Sequence, residues 1–588
     1  MTDINLSRDF KEADSLRRFS IDLEDEHGIQ HQIPLAPCSG SSGGHTGKKE
    51  PVRILGKAVD PACVLGEGGQ GIVCRTQDPF IAVKLARTNH QDITDRDQIT
   101  AFQDKVHDLL LLRLPGDLRI SLPFAVLRDH AGYVMRLLNT AESFEKGLLS
   151  TSYNVRAYGG IGLTRAVSVF APDQSKQFQD LPPEERVRFT RSDTAPVMLR
   201  LVRYIATGGT RLRFCALGHA AGILSRIHAL GMVYGDISAN NVFLAGDDDE
   251  GCSVWLIDSD NLNYEKQKGP IVMTPEYGAP ELVQRQAGIS SVSDCHAFAV
   301  LAERCLAWVH PFHGRLLEEG DWSDGTDGMT LEDKANAGMF PWIDDPWDDS
   351  NREEKAEGML PRHTILTEGV LRLMELTFCR GRTYPGARPG AALWARELFR
   401  ARDLTLKCTR CGMTLPIRDA ADAKCPCCDV SPSSPAVLEL KAYALLPGGR
   451  CPEPEWIWHH EIENPDEHWL FRIPTRVFRS FDMRDHDQPF LQAEYRSGGT
   501  GAGQGAGSTG PHEDKAGGFV FLRKLSTDDS RIWVLAPGGR SPKEARPASL
   551  EGDRVAAPRE LDGSFWLIAE SPLGQRRAVS LQLIRRNP

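Results

Sequence analysis

The run LGEGGQGIV (Leu65–Val73) limits what this chain can fold into more sharply than any other segment. Gly66, Gly68 and Gly71 fall in the spacing G-x-G-x-x-G, with Val73 close behind. Glycines let main chain close over phosphate groups where a Cβ would collide. In a dinucleotide site the same spacing opens a helix. Here the next segment, FIAVKL (Phe80–Leu85), is apolar and β-branched and reads as a strand. Its Lys84 is a cation set where the α- and β-phosphates of a nucleotide would lie. A ligand-free hairpin explains the glycines alone, and a solvated strand lysine explains Lys84 alone. The two together favour a nucleotide.

Two later segments supply oxygen donors. MVYGDISANNVFL (Met232–Leu244) follows an amphipathic helical pattern at Leu212–Leu230 and sets Asp236 and Asn241 in a D-x-x-x-x-N relation. VWLIDSDNL (Val254–Leu262) is an apolar strand that ends in Asp258. Phosphoryl transfer needs a carboxylate to orient the attacking hydroxyl and oxygen ligands for Mg²⁺. Asp236 suits the first task, and Asn241 with Asp258 the second. Singly, each is ordinary turn chemistry. Their order and spacing together are not.

These motifs resemble the eukaryotic-like Ser/Thr protein kinase superfamily, and the resemblance spans residues 58–402. MTPEYGAPEL (Met273–Leu282) looks like the end of an activation segment, SDCHAFAVL (Ser293–Leu301) like the helix after it, and HPFHG (His310–Gly314) also fits. The resemblance implies an α+β, two-lobed protein kinase fold. It implies ATP held by Gly66, Gly68, Gly71, Val73, Ala82 and Lys84, with main chain near Met135 and Leu137 meeting the adenine. It implies Mg²⁺ on Asn241 and Asp258, and Asp236 orienting a hydroxyl of a protein substrate. Thr274 becomes the substrate-docking residue, Glu281 the acid paired with Arg388, and Asp294 the brace of the catalytic loop. A narrower likeness, carried by LGEGGQG, GDISANN, LIDSDNL, TPEYGAPEL and HPFHG ahead of a C-x-x-C ribbon, is to a bacterial subgroup. Its members are often encoded beside a von Willebrand A-type (VWA) protein and a PP2C-type phosphatase, in tellurium-resistance-like gene sets. Those two proteins are the partners it implies.

The chain departs from the pattern in four places. Gly235 stands where an arginine usually precedes the catalytic aspartate, so a phosphate on the activation segment has no obvious cation there. Ser259 and Tyr264 are the hydroxyls between Asp258 and Thr274, and the expectation is that their phosphorylation does not switch activity on. Ser238 replaces the usual lysine on the γ-phosphate. No glutamate lies between Lys84 and Glu142, so Asp104 or Asp108, in AFQDKVHDLLLL, is expected as the helix acid for Lys84, with Asp104 aligning better; an exposed role for both is the alternative. The usual D-F-G reads Asp258-Ser259-Asp260 and lacks its glycine hinge. The rival reading is a nucleotide-binding pseudokinase scaffold acting through a zinc ribbon and a β-rich tail. The retention of Lys84, Asp236, Asn241 and Asp258 weighs against it.

Behind this domain lies CTRCGMTLPIRDAADAKCPCC (Cys408–Cys428). Cys408/Cys411 and Cys425/Cys428 are two C-x-x-C knuckles, and four thiolates make a closed, structural Zn²⁺ site. Cys427 is a spare. The remaining chain alternates as short strands at Val437–Leu445, Trp469–Val477, Phe519–Leu522, Ile532–Leu535, Phe565–Ile568 and Val579–Ile584, which suggests a small β-sandwich or barrel of unknown role. Within it His459-His460-Glu461 reads as an exposed strand face rather than a metal site. The expected units are an N-terminal extension and linker (1–51), a kinase domain (52–405), a zinc ribbon (406–431) and a β-rich domain (432–588). Three or four units suit 588 residues. A net charge of -11 disfavours a nucleic-acid partner. The polar start MTDINLSRDFKEAD and the lack of a long apolar run point to a cytoplasmic protein with reduced cysteines.

Overall fold

The computed structural model describes residues 20–35, 52–68, 71–88, 90–138, 141–149, 203–245, 252–265, 273–320, 329–352, 362–421, 424–425, 436–446, 449–496, 519–535, 546–547, 555–557 and 562–585. The glycine/serine segment Ser39–Lys49, the acidic run Gly246–Gly251, the loop Ser497–Gly510 and Cys428 lie outside these residues. Helix and sheet are present in about equal measure, which is an α+β composition. The chain divides into two compact units, Met1–Lys146 with Arg226–Thr274 and Gly288–Asp294, and Gly147–Ser225 with Pro275–Ala287 and Cys295–Pro588.

In the first unit two hairpins, β1 (Ser20–Glu24) with β2 (Gln30–Pro34) and β3 (Val52–Ile54) with β4 (Lys57–Val59), precede the main sheet. That sheet runs β5-β6-β7-β10-β9, with β8 (Gln91–Asp92) on β7. Its members are β5 (Val64–Gly68), β6 (Gly71–Arg75), β7 (Ile81–Thr88), β9 (Pro123–Val126) and β10 (Gly132–Arg136). The glycine-rich run is the β5–β6 hairpin, where Gly68 opposes Gly71. The apolar strand β7 lies between β6 and β10, so Lys84 has Val73 on one side and Tyr133 on the other. Ile21, Leu23 and Ile33 of the first hairpin share a core with Ile72, Cys74, Val83, Leu85 and Val134. Residues 20–34 are thus part of this unit's packing.

The helix Arg96–Leu110 starts at Asp95, whose carboxylate caps the Gln98 N–H at 3.0 Å. It buries Val106 and Leu109 and leaves Asp104 and Asp108 exposed. Further along, β11 (Ala141–Ser143), β13 (Val242–Ala245) and β14 (Ser253–Leu256) form a three-stranded sheet. β12 (Met232–Val233) pairs with β15 (Asn263–Tyr264). The segment between β12 and β13 carries Asp236, and the turn after β14 carries Asp258.

Helical patterning at Leu212–Leu230, Ser293–Trp308 and Glu368–Phe378 corresponds to helices at Gly209–Ala229, Ser291–Ala307 and Glu368–Glu375. Helix Ala391–Asp403 leads into a hairpin, Thr405–Lys407 with Thr414–Pro416, that carries the first cysteine knuckle. Among the described residues the tail contributes two antiparallel sheets, one of seven strands and one of four. Ala436–Leu446 pairs with both Trp456–Ile462 and Arg576–Arg585. Among the described residues no helix is long and apolar enough to cross a membrane.

Candidate active site

Lys84 is buried on β7, and its Nζ lies 2.5 Å from Asp258 Oδ1 and 2.6 Å from Asp260 Oδ2. The Tyr133 hydroxyl donates to Asp260 Oδ1 at 2.8 Å from the neighbouring strand. Burial opposes the charge on Lys84, but the two carboxylates hold its pKa above the ordinary lysine value. Burial likewise pushes Asp260 up, yet Lys84 and Tyr133 hold its carboxyl below the usual range. Burial raises Asp258, with Lys84 opposing and Asp260 adding to the rise. Asp258 sits in left-handed backbone, φ 60° and ψ 66°. That conformation is costly for a residue with a Cβ and is a mark of functional turns.

Asp236 is held by two neighbours. Its Oδ1 accepts from the Thr274 N–H at 3.0 Å and from the Thr274 hydroxyl at 2.9 Å. Its Oδ2 accepts from Asn241 Nδ2 at 3.0 Å, and its main-chain carbonyl accepts from the same nitrogen at 2.9 Å. The donor side of the Asn241 amide is therefore committed to Asp236. The Ile257 N–H donates to the Asn241 carbonyl at 2.9 Å, which ties the Asp236 segment to the Asp258 turn. Asp294 fixes the approach to Asp236 by accepting from the N–H groups of Tyr234 (2.8 Å) and Gly235 (2.9 Å). His228 Nε2 lies 3.0 Å from the same carboxylate.

The departures from the family pattern acquire physical reasons. Gly235 has φ 87°, and a Cβ there would stand 3.2 Å from both Cβ and O of Asn261. An arginine at that position would be strained. Ser238 is buried with its hydroxyl unpartnered, so it does not stand in for a lysine reaching a phosphate. Ser259 is fully buried with its hydroxyl on Ser121 O at 3.3 Å, whereas Tyr264 is exposed. The expectation that Asp104 or Asp108 pairs with Lys84 is corrected, because both face solvent and Asp260 takes the lysine. Sequence reasoning missed Asp260. Its one signal was a second carboxylate two residues after Asp258, which a turn would carry to the same side.

Among the described glycines of the hairpin, Gly71 alone is held by close approach, since a Cβ there would come within 2.8 Å of Leu85 O. Gly66 and Gly68 face open space. Glu67, between them, is pinned by Arg87 at 2.7 Å. Val73 and Ala82 line β6 and β7, and Met135 opposes Ala82. The Leu137 N–H is already bonded to Phe80 O at 2.8 Å, so that donor is committed and does not face a base.

In the second unit Glu281 and Arg388 form a buried bidentate pair at 2.6 and 2.8 Å, and Arg388 Nε also donates to Gly381 O. Cys408, Cys411 and Cys425 are buried with their sulfurs all within 4.8 Å of one another. Cys411 Sγ lies 3.6 Å from Cys425 Sγ. The knuckle turns on Gly412, φ 82°, with Gly412 N–H donating to Cys408 O at 2.7 Å. Three buried thiols converging in this way have the chemistry suited to a thiolate-bound metal ion. The reading of His459 as part of an exposed face is also corrected. His459 is buried with Nε2 3.1 Å from Glu439, and Glu461 accepts from Arg211 at 2.7 Å.

No protein-family model matches the chain. Over 126 residues it is 31% identical to ribosomal protein S6 kinase alpha-3 of Homo sapiens and of Mus musculus, which covers 21% of this chain and 15% of that protein. Over 119 residues it is 33% identical to ribosomal protein S6 kinase alpha-1 of Homo sapiens, again 20% of this chain and 15% of the relative. The match thus spans about a seventh of the length of these curated relatives. This distant homology supports a place in the protein kinase superfamily.

Proposed function

We propose that the chain is an ATP-dependent protein kinase that transfers the γ-phosphate to Ser or Thr hydroxyls of protein substrates. The observation that carries this reading is the meeting of Lys84 with Asp258, 174 residues apart, in a turn tied to Asp236 and Asn241. The β5–β6 hairpin covers the phosphates with open glycine backbone. Lys84 neutralises the α- and β-phosphates. Mg²⁺ fits the remaining donors. Asp258 offers a carboxylate in a strained turn, and Asn241 keeps only its Oδ1 uncommitted while Nδ2 serves Asp236. Bound there, the cation would neutralise charge developing on the transferred phosphoryl group. Asp236, oriented by Thr274 and Asn241, aligns the attacking hydroxyl. The hydroxyl oxygen forms a new bond to the γ-phosphorus while the bond from that phosphorus to the β–γ bridging oxygen breaks; ADP leaves with the bridging oxygen and its electron pair, and the hydroxyl proton passes to Asp236.

The two-lobed kinase fold over 52–405, the bacterial subgroup and the cytoplasmic setting belong to this proposal. So do a VWA-type partner and a PP2C-type phosphatase. Cys408, Cys411, Cys425 and Cys428 are proposed to hold a structural Zn²⁺. Activity is proposed to be independent of phosphorylation at Ser259 or Tyr264. The test is incubation with γ-labelled ATP, Mg²⁺ and a mixed protein acceptor, followed by phosphoamino-acid analysis. Label on serine or threonine supports the reading. Label on tyrosine alone, or ATP bound without label anywhere, contradicts it.

A further inference from the structure

We propose that Asp260 is the positioning carboxylate of Lys84, in place of an acid on the helix Arg96–Leu110, so that the lysine's anchor sits on the same turn as the metal ligand. The inference rests on the kinase reading and assigns a division of labour within its site.

Two carboxylates meet one ammonium, at 2.5 Å for Asp258 and 2.6 Å for Asp260. They differ in surroundings. The Asp258 side chain is 30% exposed, whereas that of Asp260 is 11% exposed. Asp258 therefore faces the side from which a nucleotide and its cation arrive, and Asp260 faces the interior. Asp260 is also held from behind, by the Tyr133 hydroxyl on the strand next to Lys84. Its two oxygens thus divide between a lysine and a tyrosine that are paired across β7 and β10.

The helix cannot supply this acid. The side it turns toward Tyr133 is apolar: Phe102 stacks on the Tyr133 ring with centroids 6.3 Å apart and planes 6° apart, and Val106 packs in the same cluster. Asp104 and Asp108 are exposed. The helix is fastened instead through its polar residues. Gln103 Nε2 donates to Leu127 O at 2.7 Å, and His107 meets Glu26 of the β1–β2 turn at 2.9 Å. A lysine without a second carboxylate would remain on Asp258 and compete with Mg²⁺ for it. With Asp260 present, Asp258 can pass to the cation while Lys84 keeps a fixed, charge-matched partner.

Three variants decide the matter: Asp260→Asn, Asp260→Glu and Tyr133→Phe. Each is checked by thermal melting, then assayed for label transfer and for binding of a fluorescent ATP analogue across a Mg²⁺ titration. Asp260→Asn is expected to lower kcat about 10²-fold and to raise the Mg²⁺ concentration needed for half-maximal nucleotide binding. Asp260→Glu should recover most of both. Tyr133→Phe, which keeps the ring and its stacking, should move both in the same direction by less. A merely structural aspartate would lower the melting temperature without shifting the Mg²⁺ requirement. An Asp260→Asn variant with unchanged or faster transfer and an unchanged Mg²⁺ requirement overturns the proposal. If wild type binds nucleotide but transfers nothing, the kinase reading fails, and the Mg²⁺ dependence of binding still decides the role of Asp260.

Discussion

Asp294 shows how one side chain can set a reactive turn. It accepts from two consecutive main-chain N–H groups directly before Asp236, and His228 closes the same carboxylate. Replacing it with alanine leaves buried donors without partners, at about 1–3 kcal/mol each. Asp294→Ala is therefore expected to lose nearly all transfer while still binding nucleotide, as an ATP-analogue titration would report. Glu303 illustrates a charge that burial disfavours. It is fully buried, accepts from Trp342 Nε1 at 3.0 Å, and burial, with Asp344 adding, lifts its carboxyl from 4.5 up to about 8. The folded chain then keeps a proton that the unfolded chain releases above pH 4.5. Stability from that proton is whole below pH 4.5 and is lost as the pH rises toward 8, by on the order of a few kcal/mol. Glu303→Gln should remove this decline, so its melting temperature should gain on wild type between pH 5 and pH 8. A constant difference would contradict the assignment. Lys84, Asp236, Asn241 and Asp258 were picked out by local spacing, and the structure sets Lys84 beside Asp258 and Asn241 beside Asp236. Asp260 was not, because its role depends on burial and on Tyr133, which no local spacing encodes.

At the scale of elements, periodicity carried the prediction where one face is apolar. The helices Gly209–Ala229 and Ser291–Ala307 and the long strand Ala436–Leu446 lie within a few residues of their expected limits. The strand Trp456–Ile462 was harder to read, since its polar His459-Glu461 stretch looks solvated. His459 turns inward, where Glu439 on the adjacent strand and the Leu404 carbonyl meet its two ring nitrogens. Of the two knuckles expected from spacing, the described residues include Cys408 and Cys411 of the first and Cys425 of the second. Cys408, Cys411 and Cys425 converge, and hydrogen bonding with Cys408 and Cys425, with burial adding, pushes the Cys411 thiol far up. Metal analysis of purified protein should find one Zn²⁺ per chain, and Cys411→Ser should lose it and unfold the ribbon hairpin. A metal-free wild type with an intact hairpin would sink that expectation.

At the scale of the molecule, the second unit joins the helix Ala391–Asp403 to the β-rich tail through buried charge. Asp403 accepts from Arg476 at 2.7 and 2.8 Å and from Trp456 Nε1 at 2.8 Å, while Arg476 also reaches Asp487. Arg577 donates to the Arg476 carbonyl at 2.8 Å, and Arg211 reaches Glu461. None of this is visible in sequence, because the partners are far apart along the chain and resemble surface charges. Breaking a buried pair of this kind costs about 3–5 kcal/mol. Arg476→Ala should lose stability on that scale in urea unfolding, and a loss below about 1 kcal/mol would mean that the tail is not held by this network. The central claim is that Lys84, Asp236, Asn241 and Asp258 form one phosphotransferase site. It is tested most directly by transfer from γ-labelled ATP with Mg²⁺, comparing wild type with Asp236→Asn while nucleotide binding is measured on the same samples. The account predicts that both proteins bind ATP and that label appears only with wild type. Equal labelling by the two, or binding without labelling by either, would contradict it.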